Sequence, residues 1–156
     1  MKIRSLLAVV VAVAVAITAS LNAEEGKKKD PLEGILCPVS GKQVKAEATV
    51  DYKGAKVYMC CPGCPAAFAK DTAKFAAKAN AQLVATGQAE QAKCPISGGA
   101  TKEGTEVKVA GTKVAFCCEK CQGKVAKAEG DEQLNLVFSD AAFAKGFKVK
   151  ETKAKE

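Results

Sequence analysis

The chain has 156 residues, of which 24 are basic and 17 acidic, and a formal net charge of +7. Its lysines are scattered along the sequence, which is typical of a solvated surface, so we expect no nucleic-acid partner. The absence of histidine excludes Ser-His-Asp and Cys-His catalysis, histidine-rich catalytic zinc sites and imidazole-ligated copper. Any bound metal must therefore be held mainly by sulfur.

The N-terminus is typical of an export signal. Lys2 and Arg4 precede an apolar run at residues 6–17, and small residues follow. This run is too short for a membrane span. We therefore expect residues 1–23 to be cleaved as a signal peptide, leaving a periplasmic or secreted protein without a stable membrane span. Residues 24–30 are predicted to be a polar linker.

The rest of the chain contains one cysteine pattern twice. In each copy, one cysteine is followed after 22 residues by a Cys-Cys pair and, after two more residues, by a fourth cysteine; the second copy follows the first at an offset of 57. We predict two tandem cysteine modules, residues 31–88 and 92–150, and a charged tail at residues 151–156. All eight cysteines belong to the pattern: Cys37, Cys60, Cys61, Cys64, Cys94, Cys117, Cys118 and Cys121.

A β-hairpin is predicted at the start of each module. Apolar and polar residues alternate from Val44 to Tyr52, which indicates a half-buried strand. Lys53-Gly54 then predicts a turn, and residues 55–60 a second strand. The second module repeats this pattern, with strands at residues 106–109 and 112–117 around a turn at Ala110-Gly111.

Two helices are predicted after the first hairpin. Pro62 or Pro65 can occupy the first turn of a helix, because a missing N–H costs nothing there, and this helix continues to Lys70. Asp71-Thr72 is predicted to cap a second helix at residues 73–85.

The second module is predicted to diverge from the first after its hairpin. Residues 119–128 form a helix that Gly130 ends. Residues 133–138 are predicted to be a strand, because their large apolar residues alternate. Ser139-Asp140 then caps a short helix that ends at Lys145.

Each module has few large apolar side chains, and a unit of fewer than 60 residues with so small a core needs a cross-link. A structural zinc contributes roughly 10–16 kcal/mol of apparent folding energy, and a native disulfide about 2–5 kcal/mol.

Consecutive strand residues point to opposite faces, so Cys60 and Cys61 cannot both face one ion while the strand persists. If the helix begins by Cys60, however, Cys60 and Cys64 lie on one side of its first turn, where helical amides stabilise thiolates. The hairpin returns the chain to the loop that carries Cys37.

The sequence resembles a known family at Tyr52-Lys53-Gly54, at the segment Val57-Tyr58-Met59-Cys60-Cys61-Pro62-Gly63-Cys64, and at Phe68 followed by Asp71. These motifs are similar to those of the YHS and TRASH domains. The resemblance implies small treble-clef-like modules that bind, sense or traffic heavy metals. TRASH domains have one cysteine about twenty residues before a Cys-x3-Cys pair, which here implies the ligands Cys37, Cys60 and Cys64, and again Cys94, Cys117 and Cys121.

The chain departs from this family at two places. Many YHS modules have Asp-Pro-Val-Cys-Gly where this chain has Cys-Pro-Val-Ser-Gly at residues 37–41, so the thiol moves by three positions. The second module has Ala115 and Val125 where the first has Tyr58 and Phe68. We therefore predict from this chain's own residues that all four cysteines of each module form its metal site.

Three uses of these cysteines remain open. Four thiolates suit Zn²⁺, and two or three suit Cu⁺. Structural disulfides are the first alternative in an oxidising compartment; the protein would then be a disulfide-stapled interaction module. Thiol-disulfide exchange is the second, because Cys61 to Cys64 and Cys118 to Cys121 are Cys-x2-Cys motifs, although the parallel-sheet pattern of that fold is missing. Met59 aligns with Phe116 and is predicted to lie in the core, a soft copper ligand being the alternative.

These observations together predict an α+β protein of two modules, each a β-hairpin followed by a cysteine-headed helix. Its predicted function is heavy-metal binding, for buffering, sensing or delivery of a thiophilic ion. Such a protein is not an enzyme, and its partners would be the ion and a protein metal donor or acceptor.

Overall fold

The computed structural model describes residues 32–150. The predicted signal peptide, the linker at residues 24–30 and the charged tail at residues 151–156 lie outside the described residues. Within the described range the α+β class is confirmed. The elements are β1 (Lys45–Tyr52), β2 (Ala55–Met59), α1 (Gly63–Lys70), α2 (Thr72–Ala85), β3 (Ala89–Gln91), β4 (Val107–Val109), β5 (Thr112–Val114), α3 (Glu119–Lys127), α4 (Gly130–Phe138), α5 (Asp140–Gly146) and β6 (Phe147–Val149). No helix in this range is long and apolar enough to span a bilayer.

Both predicted hairpins are confirmed. Strand β1 pairs antiparallel with β2, and β4 pairs antiparallel with β5. Each hairpin turns through two residues in the left-handed region, Lys53-Gly54 with φ of 53° and 78° and Ala110-Gly111 with φ of 47° and 82°. Two positive φ values in a two-residue loop match the right-handed twist of the strands. The second strand of each hairpin stops before its cysteine pair, earlier than predicted.

The helices of the first half follow the prediction. Helix α1 has Pro62 as its N-cap residue and Pro65 in its first turn, where no backbone donor is needed. The Asp71 side chain accepts a hydrogen bond from the Lys74 backbone N–H at 3.2 Å and caps helix α2. The two helices therefore meet at a sharp corner directly after Lys70.

The predicted strand at residues 133–138 is wrong, because these residues belong to helix α4. Its buried side chains are Leu134, Val137 and Phe138, which follow helical spacing, and Leu136 is only partly buried. Gly130 begins this helix and does not end the preceding one, which stops at Lys127. The apolar alternation at 134, 136 and 138 misled because Val137 adds the residue that completes a helical face.

The two halves of the chain pack on each other. Helix α2 of the first half lies against α4 and α5 of the second. Strand β3, which follows α2, pairs antiparallel with β6 near the end of the described range, with Ala89 opposite Val149 and Gln91 opposite Phe147. Buried apolar residues of both halves accordingly form one cluster. The sequence had not predicted this third sheet.

A polar contact beside this core also joins the halves. Asp140 accepts hydrogen bonds from Lys53 Nζ at 2.6 Å, from Asn80 Nδ2 at 3.0 Å and from the Tyr52 hydroxyl at 3.1 Å. The fully buried Asn80 also donates to the Phe138 carbonyl at 2.8 Å. The Lys53 hydrogen bond, together with those from Asn80 and Tyr52, lowers the pKa of Asp140 more than its partial burial raises it.

We expect Asp140 to make stability depend on pH. Its folded pKa lies below its unfolded value of about 4, so the stabilisation is complete above that value and is lost as pH falls through the folded pKa. The Asp140 side chain is 58% exposed, which limits the effect to about 1 kcal/mol. The measurement is the difference in free energy of unfolding between wild type and Asp140→Asn. A difference that does not shrink between pH 5 and pH 2 would contradict the assignment.

Gly146 is required by its packing. A Cβ atom at this position would lie 2.8 Å from Pro95 Cα and 2.9 Å from Pro95 N, and backbone atoms next to Cys94 have little freedom to move. We expect Gly146→Ala to lower the free energy of unfolding by about 1–3 kcal/mol. Gly123→Ala is the matched control, because that helical position has open space within 4 Å and should gain up to about 1 kcal/mol in helix propensity. Urea unfolding would measure both changes.

Candidate metal centre

The early cysteine of each half lies on the same backbone turn. The Cys37 N–H donates to the Lys42 carbonyl at 2.7 Å, and the Gly41 N–H donates to the Cys37 carbonyl at 2.8 Å. In the second half Cys94 donates to Gly99 at 2.9 Å and accepts from Gly98 at 2.7 Å. Gly41 and Gly98 have φ of 70° and 77°, a conformation that glycine adopts without strain. The sulfur is thereby directed inward, since Cys37 and Cys94 are almost fully buried.

The other two thiols of the first site come from both sides of a bend after β2. Cys60 follows the last residue of β2, and Cys64 lies in the first turn of α1. Their Sγ atoms are 3.5 Å apart. The condition that the helix begins by Cys60 is not met, because the strand continues to Met59 and the helix begins only at Gly63. The bend, and not a helical turn, brings the sulfurs of Cys60 and Cys64 together.

Three sulfurs converge in the first half. The Sγ atoms of Cys37, Cys60 and Cys64 all lie within 4.8 Å of one another. Three thiolates bound to one ion at about 2.3 Å are about 3.8–4.0 Å apart. The observed spacing therefore needs no rearrangement of the backbone to bind a metal ion.

The second half builds the same arrangement. The Sγ atoms of Cys94, Cys117 and Cys121 lie within 4.8 Å of one another, and those of Cys117 and Cys121 are 3.7 Å apart. A serine hydroxyl contacts the equivalent sulfur in each half: Ser40 Oγ is 3.0 Å from Cys60 Sγ, and Ser97 Oγ is 3.1 Å from Cys117 Sγ. These serines also accept backbone N–H bonds two residues further along.

The remaining two cysteines lie beside the trios and are not members of them. Cys61 Sγ is 3.2 Å from Cys64 Sγ, and Cys118 Sγ is 3.7 Å from Cys117 Sγ. Both side chains are partly exposed. The structure therefore brings together three of the four predicted ligands in each half and places the fourth in contact with one of the three.

The thiols of the first site differ in acidity. Burial raises the pKa of Cys37, but hydrogen bonds from the backbone and side chain of Ser40 and from the backbones of Cys60 and Val39 bring it to about 7. The hydrogen bond to Cys61 and burial raise the pKa of Cys64 to about 12. In the second site the Ser97 backbone and side chain likewise outweigh burial and bring the pKa of Cys94 to about 7, while burial raises that of Cys121 to about 12.

The partly exposed cysteines, Cys61 and Cys118, have lower pKa values than Cys64 and Cys121. The hydrogen bond to Cys64 lowers the pKa of Cys61, and the backbone amides of Gly63 and Cys64 at the start of α1 lower it further. The backbone N–H of Cys121 lowers the pKa of Cys118. Amides at a helix N-terminus thus favour a thiolate beside each trio, at Cys61 and Cys118.

Gln82 positions the first site, a role that no motif or spacing in the sequence indicates. Its side-chain amide nitrogen, Nε2, donates to the Leu36 carbonyl at 3.1 Å and to the Tyr58 carbonyl at 2.9 Å. Its Oε1 accepts from the Tyr58 N–H at 2.6 Å. This buried side chain on α2 therefore ties the residue before Cys37 to the strand that leads to Cys60.

Gln91 makes the equivalent hydrogen bonds in the second half, but it lies on strand β3 and not on a helix. Its Nε2 donates to the Lys93 and Ala115 carbonyls at 3.0 and 2.6 Å, and its Oε1 accepts from the Ala115 N–H at 2.9 Å. Lys93 and Ala115 correspond to Leu36 and Tyr58 at the offset of 57. The two glutamines do not correspond to each other at that offset, so the repeat could not reveal them.

The two sites differ in the buried side chain behind the early cysteine. Met59 is fully buried, as predicted for a core residue, and its Sδ atom lies 3.7 Å from Cys37 Sγ. The equivalent residue in the second half is Phe116, which is also fully buried. Apart from this difference, both sites have three thiols, one serine hydroxyl and one adjacent partly exposed thiol.

Each trio can bind a metal ion, because it combines three soft donors, suitable spacing and one thiol of lowered pKa, Cys37 or Cys94, in a partly buried setting. Comparison of the chain with family models, with curated proteins and with solved structures found no match.

Proposed function

We propose that this protein is an exported heavy-metal-binding protein that buffers, senses or delivers a thiophilic ion such as Zn²⁺ or Cu⁺ and is not an enzyme. The observation that supports this function is the convergence of three sulfurs within 4.8 Å in each half of the molecule. A duplicated cluster of this kind, with no histidine in the chain, suits ions that prefer thiolate ligands.

The proposal includes a relationship to the YHS and TRASH domains, with treble-clef-like modules in a periplasmic or extracellular setting. Its support is the order of the parts in each half: an early cysteine on a tight turn, a β-hairpin, a Cys-Cys bend and a helix with a cysteine in its first turn. The trio of each half is the set of ligands that the TRASH pattern implies.

We assign different roles to the trio and to the fourth cysteine. Cys37 and Cys64 are buried, whereas Cys60 and Cys61 are partly exposed. A partly exposed thiolate next to the trio can accept an ion from a donor protein and pass it to the buried sulfurs, or do the reverse toward an acceptor. Cys61 and Cys118 are therefore ligands during transfer, and the trios are the resting sites.

Elemental analysis tests this function. The full chain, purified with its thiols protected, should contain two thiophilic metal ions per chain. The six trio thiols should become alkylated only after a chelator removes the metal, whereas Cys61 and Cys118 should react in its presence. Less than one ion per chain, with the cysteines paired as disulfides, would reject metal binding and support the disulfide-stapled interaction module. In the described residues all eight cysteines are free thiols.

Thiol-disulfide exchange is the second candidate, favoured by one pair of residues. Cys61 is partly exposed, its pKa is lowered, and its sulfur lies 3.2 Å from that of Cys64. An attacking thiolate with a neighbouring resolving thiol is the arrangement that this chemistry needs. Insulin reduction that is lost in Cys61→Ser would support exchange, and its absence in the metal-free wild type would exclude it.

A further inference from the structure

We propose that Met59 supplies a thioether ligand to the first site and makes it selective for Cu⁺, whereas the second site lacks this ligand and binds Zn²⁺ and Cu⁺ through thiolates alone. This inference rests on the proposed metal-binding function and specifies the ion of one site.

The position of Met59 supports the assignment. It is the last residue of β2, directly before Cys60, and it is fully buried. Its Sδ atom lies 3.7 Å from the sulfur of Cys37, the most buried member of the trio. Sulfurs that share one ion stand about 3.8–4.0 Å apart, so the thioether is at the distance of a co-ligand from a trio sulfur.

The chemistry of a thioether determines which ion the first site binds more tightly. A thioether is a soft, neutral donor that suits Cu⁺, whereas Zn²⁺ is bound by thiolate, imidazole and carboxylate. It needs no deprotonation and adds no negative charge, so it can act as a ligand in a buried place where another thiolate would be costly. Met59 therefore strengthens the binding of a soft monovalent ion and leaves Zn²⁺ affinity unchanged.

The second site is an internal comparison for this effect. Phe116 occupies the equivalent position, is equally buried, and has no atom that can coordinate a metal. The turn around the early cysteine, the trio and the serine hydroxyl are the same in both halves. The two sites thus differ at this buried position by the presence or absence of one potential donor atom.

Met59→Leu tests the inference in the full chain, because leucine retains most of the volume and removes the sulfur. To isolate the first site, both proteins carry Cys94→Ser, Cys117→Ser, Cys118→Ser and Cys121→Ser, which leave no thiol in the second half. Competition with a chromogenic Cu⁺ chelator should show a roughly 10–100-fold loss of Cu⁺ affinity, and competition with a zinc chelator should show no change. Equal losses for the two ions would mean that Met59 only packs the site, and would overturn the inference.

Selenium provides a direct readout. The chain has two methionines, Met1 and Met59, so selenomethionine labelling places one selenium atom at the site and one at the N-terminus. X-ray absorption at the selenium edge should show a copper neighbour in the Cu⁺-loaded protein and none in labelled Met59→Leu, which reports Met1 alone. Copper binding without a copper neighbour at selenium would overturn the Met59 assignment but not the proposed function. Absence of both Cu⁺ and Zn²⁺ binding would overturn both.

Discussion

Replacing Cys64 with serine is expected to lower the bound Zn²⁺ from two ions per chain to one. Cys64 is buried and within 3.5 Å of both Cys60 and Cys61, so its loss leaves the first trio with two thiols and a hydroxyl that is a poor ligand for soft ions. The effect is large because a structural thiolate site contributes on the order of 10 kcal/mol of apparent folding energy. Metal content by elemental analysis and chelator competition would measure it.

Two matched variants make this prediction specific. Cys121→Ser should remove the ion of the second half and leave that of the first, which thiol alkylation mapped by cysteine would show. Cys61→Ser should retain two ions per chain, because Cys61 is outside the trio, but should slow metal transfer to a competing chelator. If Cys64→Ser retains two ions, the trio is not the resting site.

Gln82→Leu is expected to destabilise the protein by about 2–5 kcal/mol and to weaken metal binding only in the first half. Leucine fills a similar volume but leaves three partly buried backbone groups without their partners, at about 1–3 kcal/mol each before water compensates. The loop that carries Cys37 then loses its connection to the strand of Cys60. Urea unfolding of the metal-free protein and zinc-chelator competition would measure the two effects.

Gln88→Leu is the control for that variant. Gln88 makes the same pair of hydrogen bonds to the same strand, accepting from the Lys56 N–H at 2.8 Å and donating to the Lys56 carbonyl at 2.7 Å. These bonds are exposed and touch no residue next to a cysteine. We expect a loss of about 1 kcal/mol or less and unchanged metal binding. Equal effects of the two variants on the first site would show that Gln82 acts on general stability.

The hairpins and the division of the cysteines into two clusters could be predicted because their signals are local or repeated. Alternating residues and a two-residue turn define each hairpin, and the offset of 57 shows which cysteines belong together. Whether the helix would begin by Cys60 stayed open, because the sequence does not show where the strand ends before a helix that has Pro62 at its N-cap. The fold itself, with a bend in place of a helical turn, brings the sulfurs together.

What could not be predicted depends on contacts between distant segments. Gln82 and Gln91 reach equivalent backbone groups from a helix and from a strand, and no periodicity or spacing connects them. Strand β3 has only three residues and forms because β6 lies beside it. Helix α4 was misread because its buried face is recognised only when it packs against α2.

In the proposed metal-bound protein, the contact between the two halves links the stability contributed by one ion to the folding of both halves. Helix α2 holds the first site through Gln82 and packs against α4, and β3 holds the second site through Gln91 and pairs with β6. An ion that binds only the folded chain stabilises the whole cooperative unit by a free energy that grows with the logarithm of the ratio of its concentration to its dissociation constant. Filling one half therefore protects the empty thiols of the other half from the unfolding that would expose them to oxidants.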